Sequence, residues 1–185
     1  ARAPWRQRAR DRPPFGDGMA NNKSASAFGF YTVVGTLSQG LIGGYLVLNA
    51  AGRPLEFHCT APVKPSRAQA ILFGATLEPY LYGEYIGLTL VAKAETAVHV
   101  ICTNLRAALA VRQHIDLPVA LLGDDAMGAA TTVAIANTQL GLADGFADDE
   151  RAIVEHLSAF AARMPLAEPF DRIREAIAEA ERSAA

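Results

Sequence analysis

Three apolar segments with the composition of β-strands follow one another near the start of the sequence. Residues 28–37 and 41–49 are rich in aromatic and β-branched side chains, and three residues separate them, a spacing that suits a hairpin. Residues 54–60 follow a second short turn and alternate apolar with polar positions. This pattern predicts an antiparallel meander of three strands.

The third of these strands should bury one of its two faces. Alternation along a strand places successive side chains on opposite faces. The apolar set is Leu55, Phe57 and Cys59, and the polar set is Glu56, His58 and Thr60. We expect the apolar face to be the buried one, with the cysteine acting as a small hydrophobic side chain.

After the third strand the apolar positions change to a helical period. Ser66 can cap a short helix that ends at Phe73, and a longer helix fits residues 76–94. The longer helix is apolar or aromatic almost all round, so we expect it to be buried on more than one side or to contact a partner. Gly83 and Gly87 lie four residues apart and predict a face where another backbone approaches closely.

The second half of the chain alternates strands with helices. Strands are predicted at 97–103, 118–122 and 131–137, and helices at 104–114 (with Asn104 as N-cap), 147–163 and 169–182. The first strand, helix and second strand have the spacing of a parallel crossover unit. The sequence therefore predicts an α+β fold, an antiparallel meander followed by mixed strands and helices. Its element order is similar to that of profilin-like modules.

The start of the chain differs in composition from the rest. Residues 1–18 hold five arginines and three prolines without apolar periodicity. We expect residues 1–23 to form a disordered basic leader and residues 24–182 a single globular domain. The net charge of the 185 residues is −2, but residues 1–18 contribute +3, which leaves −5 for the remainder. Such an acidic body disfavours nucleic acid as the main partner. The alternative is that the basic leader tethers the protein to RNA or to an anionic surface.

Apolar content and cysteine usage restrict the expected cellular location of the protein. No apolar run reaches the roughly 18 residues that cross a bilayer, and the leader lacks the apolar stretch of a secretory signal. Two cysteines are too few for a disulfide scaffold. These features predict a cytoplasmic protein without a membrane span.

Two predicted strands each carry a histidine and a cysteine. His58 and Cys59 are adjacent, whereas His99 and Cys102 lie three residues apart. A zinc site would need all four side chains on one side of the sheet, but residues one or three apart in a strand point to opposite faces. The sequence therefore predicts no metal site, and it contains no motif that implies a cofactor.

Two catalytic hypotheses remain. In the first, Cys59 or Cys102 is a nucleophile and a histidine is its base. The candidate bases are His58, His99 and His114, and the acids that could orient them are Glu56 and Asp116. In the second, Asp124 and Asp125 bind a ligand after a predicted strand. We favour structural roles for these residues, namely buried cysteines, an acidic turn, and His114 and His156 as surface side chains, but whether the chain is an enzyme stays open.

Three phrases of the sequence carry a resemblance. They are GRPLEFHCTAPVKP at 52–65, ILFGATLEPYLYGEYIG at 71–87 and EPFDRIREAIAEA at 168–180. Together they resemble an uncharacterised group of conserved bacterial proteins to which no activity is assigned. The phrases cover about a quarter of the chain. The resemblance implies a bacterial protein and carries over no catalytic or binding residue.

Contact with protein is the favoured function. Tyr80, Tyr82 and Tyr85 of the longer helix are candidate interface residues because tyrosine is enriched at protein interfaces. The strand at 41–48, which we expect to be an edge, is a further candidate contact. We predict a non-enzymatic regulatory or scaffolding module that forms a homodimer or docks onto a protein partner. The alternative is a small enzyme with a cysteine or carboxylate centre near the two cysteines and Asp124.

Overall fold

The computed structural model describes residues 26–184, which contain a mixed sheet of seven strands. In chain order these are β1 (Ala27–Thr36), β2 (Gly40–Asn49), β3 (Pro54–Cys59), β4 (Val100–Thr103), β5 (Val119–Leu121), β6 (Thr132–Ile135) and β7 (Thr138–Leu142). In space the order is β3-β2-β1-β4-β5-β7-β6. The predicted α+β class is confirmed, whereas the basic leader predicted at 1–23 lies outside the described residues.

Helices connect and cover these strands. The first is α1 (Arg67–Phe73), and a 3₁₀ turn (Gly74–Thr76) leads from it into α2 (Leu77–Pro79), a π-helical segment (Tyr80–Gly87) and α3 (Leu88–Val91). A long 3₁₀ helix (Arg106–His114), a short 3₁₀ helix (Asp124–Gly128), α4 (Asp149–Ala161) and α5 (Glu168–Ala184) follow. No helix within residues 26–184 combines the length and the apolar character that crossing a bilayer requires.

The predicted meander is confirmed in β1, β2 and β3. Strands β1 and β2 pair antiparallel along their whole length, and β3 pairs antiparallel with β2. On its other side β1 pairs in parallel with β4, which pairs in parallel with β5. The crossover unit predicted for this region is therefore confirmed. Strand β7, which the sequence reasoning missed, pairs antiparallel with both β5 and β6.

Two apolar cores lie on opposite faces of the sheet. On one face, α4 and α5 pack against Phe28 and Phe30 of β1. On the other face, the π-helical segment and the long 3₁₀ helix pack around Tyr31 and Tyr45. Both faces of β1 and β2 are thus covered, which explains why these two strands are apolar almost throughout.

Two adjacent glycines of β2 allow the helices on both faces to come close. A Cβ atom at Gly43 would lie 2.1 Å from Cγ2 of Ile86, and one at Gly44 would lie 2.3 Å from Cγ2 of Ile173. Neighbouring strand residues face opposite ways, so each glycine leaves room for the helix on its own side.

The positions of β2 and β3 correct two predictions. The segment at 41–48 is not an exposed edge, because β2 pairs on both sides and each of these residues is buried. Strand β3 is the edge instead. Its Leu55 and Cys59 are exposed, so the predicted burial of that face was wrong for these two residues, whereas Phe57 between them is half-buried against the core. The reason is that α5 packs over β1 and β2, leaving β3 at the margin of the apolar core.

The predicted helix at 76–94 is shorter and less regular than expected. It ends at Val91, and its middle part is π-helical. A Cβ atom at Gly83 would lie 2.5 Å from Cβ of Ala110 in the long 3₁₀ helix. The predicted close approach at this glycine is therefore confirmed.

The segment after β4 is helical, as predicted, but it is a 3₁₀ helix that begins at Arg106. Asn104 does not cap it. Its side-chain Oδ1 instead accepts a hydrogen bond from Oγ1 of Thr32 at 2.7 Å. The amide side chain thus joins β1 to the end of β4, a contact between residues far apart in sequence that a local helix signal does not reveal.

One ion pair ties the long 3₁₀ helix to the start of α4. Nε of Arg112 donates to Oδ2 of Asp149 at 2.7 Å, and Nη2 donates to Oδ1 at 3.0 Å. The same guanidinium donates to the carbonyl of Ile115 and lies 4.1 Å from the ring centre of Phe146. The hydrogen bond from Arg112 to Asp149 raises the pKa of the arginine and outweighs the opposing effect of burial.

Replacing Asp149 with alanine should lower the free energy of unfolding by about 3 kcal/mol, because Arg112 then keeps its charge in a largely buried place without its acceptor. The matched control is Glu179→Ala, which removes the exposed pair between Glu179 and Arg182 and should cost less than about 1 kcal/mol. Urea unfolding followed by circular dichroism measures both. Equal losses would contradict a special role for the Asp149 pair.

Candidate functional site

Glu56 on the edge strand β3 accepts several hydrogen bonds. Its carboxylate accepts from Nε2 of His58 at 2.9 Å and from the backbone amides of Glu95, at 2.9 Å, and Thr96. Burial by itself raises the pKa of this carboxyl, but the donors together outweigh burial and lower it to about 2. The ionised side chain therefore ties β3 to the chain that follows α3.

His58 and Cys59 lie on opposite faces of β3, as alternation predicted. His58 is paired with Tyr45 across the sheet and hydrogen-bonds to Glu56. The thiol of Cys59 is exposed and lines a cavity of about 400 Å³ together with Ile42 of β2 and residues of α5. The imidazole of His58 is therefore not placed to take a proton from its neighbour's thiol.

Cys102 is buried in the core on the α4 face of the sheet. Burial raises the pKa of its thiol, which stays neutral at ordinary pH. Strands β1 and β2 separate β4 from β3, and three strand spacings correspond to roughly 14 Å. The two cysteines therefore belong to different environments, and Cys102 has the role of a small hydrophobic side chain that the sequence suggested.

The remaining histidines lie elsewhere. His99, just before β4, stacks on His156 of α4 with ring centres 4.4 Å apart and planes 12° apart. His156 is thus half-buried instead of lying on the surface as predicted. His114 is exposed, as predicted, and Nε2 of its ring lies 3.7 Å from Oε1 of Glu84.

Asp124 and Asp125 begin the short 3₁₀ helix after β5, and both are exposed. The carbonyl of Asp125 accepts a hydrogen bond from Nη2 of Arg106 at 2.5 Å. Across the described part of the chain, no three His, Cys, Asp or Glu side chains lie close enough to hold a metal ion. The candidate catalytic residues thus occupy separate places in the fold, and the structure does not bring the two cysteines and Asp124 to one centre.

The three candidate interface tyrosines have different surroundings. Tyr80 stacks on Phe73 with ring centres 4.4 Å apart, and its ring centre lies 6.3 Å from that of Tyr85. Tyr85 is 52% exposed. Tyr82 is half-buried, and its backbone carbonyl accepts a hydrogen bond from the hydroxyl of the buried Tyr31. Tyr85 is therefore the exposed member of the three, whereas Tyr80 and Tyr82 are both half-buried and pack against the core on this face of the sheet.

Helix α1 adds exposed apolar side chains beside these tyrosines. None of its residues is buried, and Ile71 and Leu72 are 70% and 82% exposed. Phe73 at the end of α1 is half-buried against the core on this face and is joined to the tyrosines by its stacking on Tyr80. We call Ile71, Leu72, Phe73, Tyr80 and Tyr85 together the apolar patch.

The end of α1 carries a signal for this patch in the sequence itself. The predicted α1 and its cap are confirmed, because Oγ of Ser66 accepts from the amide of Gln69 and Oε1 of Gln69 accepts from the amide of Ser66. The helix ends with three consecutive apolar residues, 71–73. Successive helical side chains point about 100° apart, so three in a row cannot all face a core.

Acidification should weaken the fold through Glu56. Its pKa is lower in the folded state, about 2, than the ordinary value of 4.5, so its contribution to stability is complete above pH 4.5 and is lost as the pH falls towards 2. Glu56→Gln does not titrate there, and its free energy of unfolding should change less over this range than that of the wild type. Urea unfolding at several pH values makes the comparison, and parallel curves would contradict the prediction.

Cys59 should react with a thiol reagent in the native protein, whereas Cys102 should react only after unfolding, because its thiol is buried and neutral. Titration with a chromogenic disulfide, with and without denaturant, counts the reactive groups. Cys59→Ser should abolish the native reaction, and Cys102→Ser should leave it unchanged. A native protein in which neither thiol reacts would exclude thiol chemistry at Cys59.

No protein-family model matches the chain, and no curated protein matches it. What the chain does must therefore be argued from its own contacts and exposed groups.

Proposed function

We propose that this chain is a non-enzymatic regulatory or scaffolding module that acts through protein–protein contacts made by the apolar patch. The observation that supports this most directly is the exposure of Ile71 and Leu72 on a helix that contributes no buried residue to the core. Contiguous exposed apolar surface is typical of protein contact sites. A bacterial source and a cytoplasmic location are part of the proposal, supported by the resemblance described above and by two cysteines that are free.

The apolar patch has a fixed shape before any partner arrives. A seven-residue helix is marginal by itself in water, but α1 is held by the reciprocal hydrogen bonds of Ser66 and Gln69 and by the stacking of Phe73 on Tyr80. Binding at such a surface requires little further ordering of the backbone. The conformational entropy lost on association is correspondingly small.

A second copy of this chain is the partner that we propose first. In a two-fold contact each patch residue is used twice, so a dimer would cover two copies of Ile71 and of Leu72. Burial of each such side chain contributes roughly 1.5–3 kcal/mol. A contact centred on α1 therefore has enough apolar surface to offset part of the entropy lost when two molecules associate.

Light scattering on size-exclusion fractions tests this proposal. We expect the wild type to show the mass of a dimer and Leu72→Asp to shift it towards the monomer, because an unpaired charge would be buried at the contact. Met127→Asp is the matched control, since Met127 is equally apolar and exposed but lies on the short 3₁₀ helix outside the patch. It should leave the mass unchanged.

A wild-type protein that remains monomeric at every concentration tested would overturn self-association through the apolar patch. Equal effects of the Leu72 and Met127 substitutions would also count against it, because they would point to a general effect of added charge. The proposed partner would then be a different protein, and the same two variants would test whether it binds at the apolar patch.

A small enzyme with a cysteine or carboxylate centre stays the alternative prediction. One observation favours it, namely that the exposed thiol of Cys59 opens onto a cavity of about 400 Å³ lined also by Thr60 and Glu181. The thiol titration described above tests this alternative in one direction: an exposed Cys59 is expected to react under either function, but a Cys59 that does not react in the folded protein excludes it as a nucleophile.

A further inference from the structure

Two lysines line one groove on the face of the sheet that the π-helical segment covers. Only three of the 185 residues are lysines, and two of them, Lys64 and Lys93, lie at this one place. The groove has a volume of about 410 Å³ and runs between the segment at 60–64, which follows β3, and the helical stretch at 85–93. This volume is within the range of small-molecule sites, roughly 300–1,000 Å³.

The walls of the groove are held in place by the sheet. Leu41 and Val63 exchange two backbone hydrogen bonds of 2.8 Å. The amide of Thr60 donates to the carbonyl of Gly43 at 3.0 Å, and the amide of Gly43 donates to Oγ1 of Thr60 at 3.0 Å. On the helical side, the buried Ile86 packs against Gly43. The groove is therefore formed in advance of any ligand.

The charge of this groove is opposite to that of the rest of the domain. Neither Lys64 nor Lys93 forms an ion pair with a carboxylate among residues 26–184. The chain after residue 18 carries a net charge of −5. Two uncompensated ammonium groups at one cavity create a local positive potential that attracts anions. Lysine binds carboxylate and phosphate oxygens through charge-assisted hydrogen bonds.

The rest of the lining indicates the body of such a ligand. Thr60 contributes a hydroxyl near one wall, and Tyr85 contributes a half-exposed ring. Oγ1 of Thr89 donates to the carbonyl of Tyr85 at 2.6 Å. The lone pairs of this hydroxyl oxygen therefore remain as acceptors. An aromatic ring beside apolar side chains such as Pro62 suits a flat or apolar molecule.

We propose that this groove binds a small organic anion, with its carboxylate or phosphate at Lys64 and Lys93 and its flat or apolar body against Tyr85 and Pro62. The site shares Tyr85 with the apolar patch but needs no residue of a second chain. It is complete within one chain, and a monomer would bind the same ligand.

Titrations with benzoate, phenyl phosphate and inorganic phosphate at constant ionic strength test the proposal, followed by the amide signals of the ¹⁵N-labelled full chain. We expect at least one organic anion to shift the amides at 60–64 and 85–93 saturably, and inorganic phosphate to bind more weakly. Which organic anion binds more tightly tells a carboxylate ligand from a phosphate one. Lys64→Met and Lys93→Met should each weaken binding about tenfold, and the double variant should abolish it.

Arg163→Met is the matched control, because Arg163 is exposed, follows α4 on the opposite face of the sheet and lines no part of the groove. It should bind as the wild type does. Leu72→Asp should also bind normally, so loss of self-association and loss of anion binding are distinguished.

Three results would overturn the proposal. The first is the absence of saturable shifts with all three anions. The second is an equal weakening by Arg163→Met, which would indicate a general effect of charge. The third is a Lys93→Met variant that binds with unchanged affinity but has a lower Tm. Lys93 would then only stabilise α3, through its favourable interaction with the carbonyl groups at the C-terminal end of that helix.

Discussion

Strand β2 is packed between two helical layers, and this packing positions the π-helical segment on one face of the sheet and α5 on the other. At Gly43 and Gly44 the side chains of Ile86 and Ile173 come so close that a Cβ atom would lie 2.1 and 2.3 Å from them. A protein interior has no spare room for such atoms. Substituting either glycine would push one layer away from the sheet. The places of the π-helical segment and of α5 thus depend on two adjacent residues of one strand.

The contact at Gly43 also explains why the apolar patch and the lysine groove are neighbours. Ile86 packs against the strand and lines the groove, whereas Tyr85, the preceding residue, is turned to solvent and belongs to both surfaces. The π-helical form, which is common at functional sites, occurs in this segment, where the carbonyl of Tyr82 accepts from Tyr31. A ligand in the groove would therefore touch a residue of the proposed protein contact.

Strand β3 lies at the margin of this packing. It pairs only with β2, and Glu56 secures it to the chain after α3 through the backbone amides of Glu95 and Thr96. Cys59 is exposed because α5 packs over β1 and β2, while Cys102 lies three strand spacings away in the core. The same arrangement that separates the two thiols keeps Cys59 accessible beside a cavity.

The sequence by itself determined the elements that depend on neighbouring residues. Alternation and turn spacing located β1, β2 and β3, and the Ser66 cap located α1, because strand pleat, helix period and capping act over a few residues. It also placed His58 and Cys59 on opposite faces. Only the tertiary structure decided that β3 and not β2 is the edge, that 80–87 is π-helical, and that Lys64 and Lys93 line one groove. Each of these depends on which distant segments pack together, and a periodic pattern shows that a face is apolar without showing what covers it.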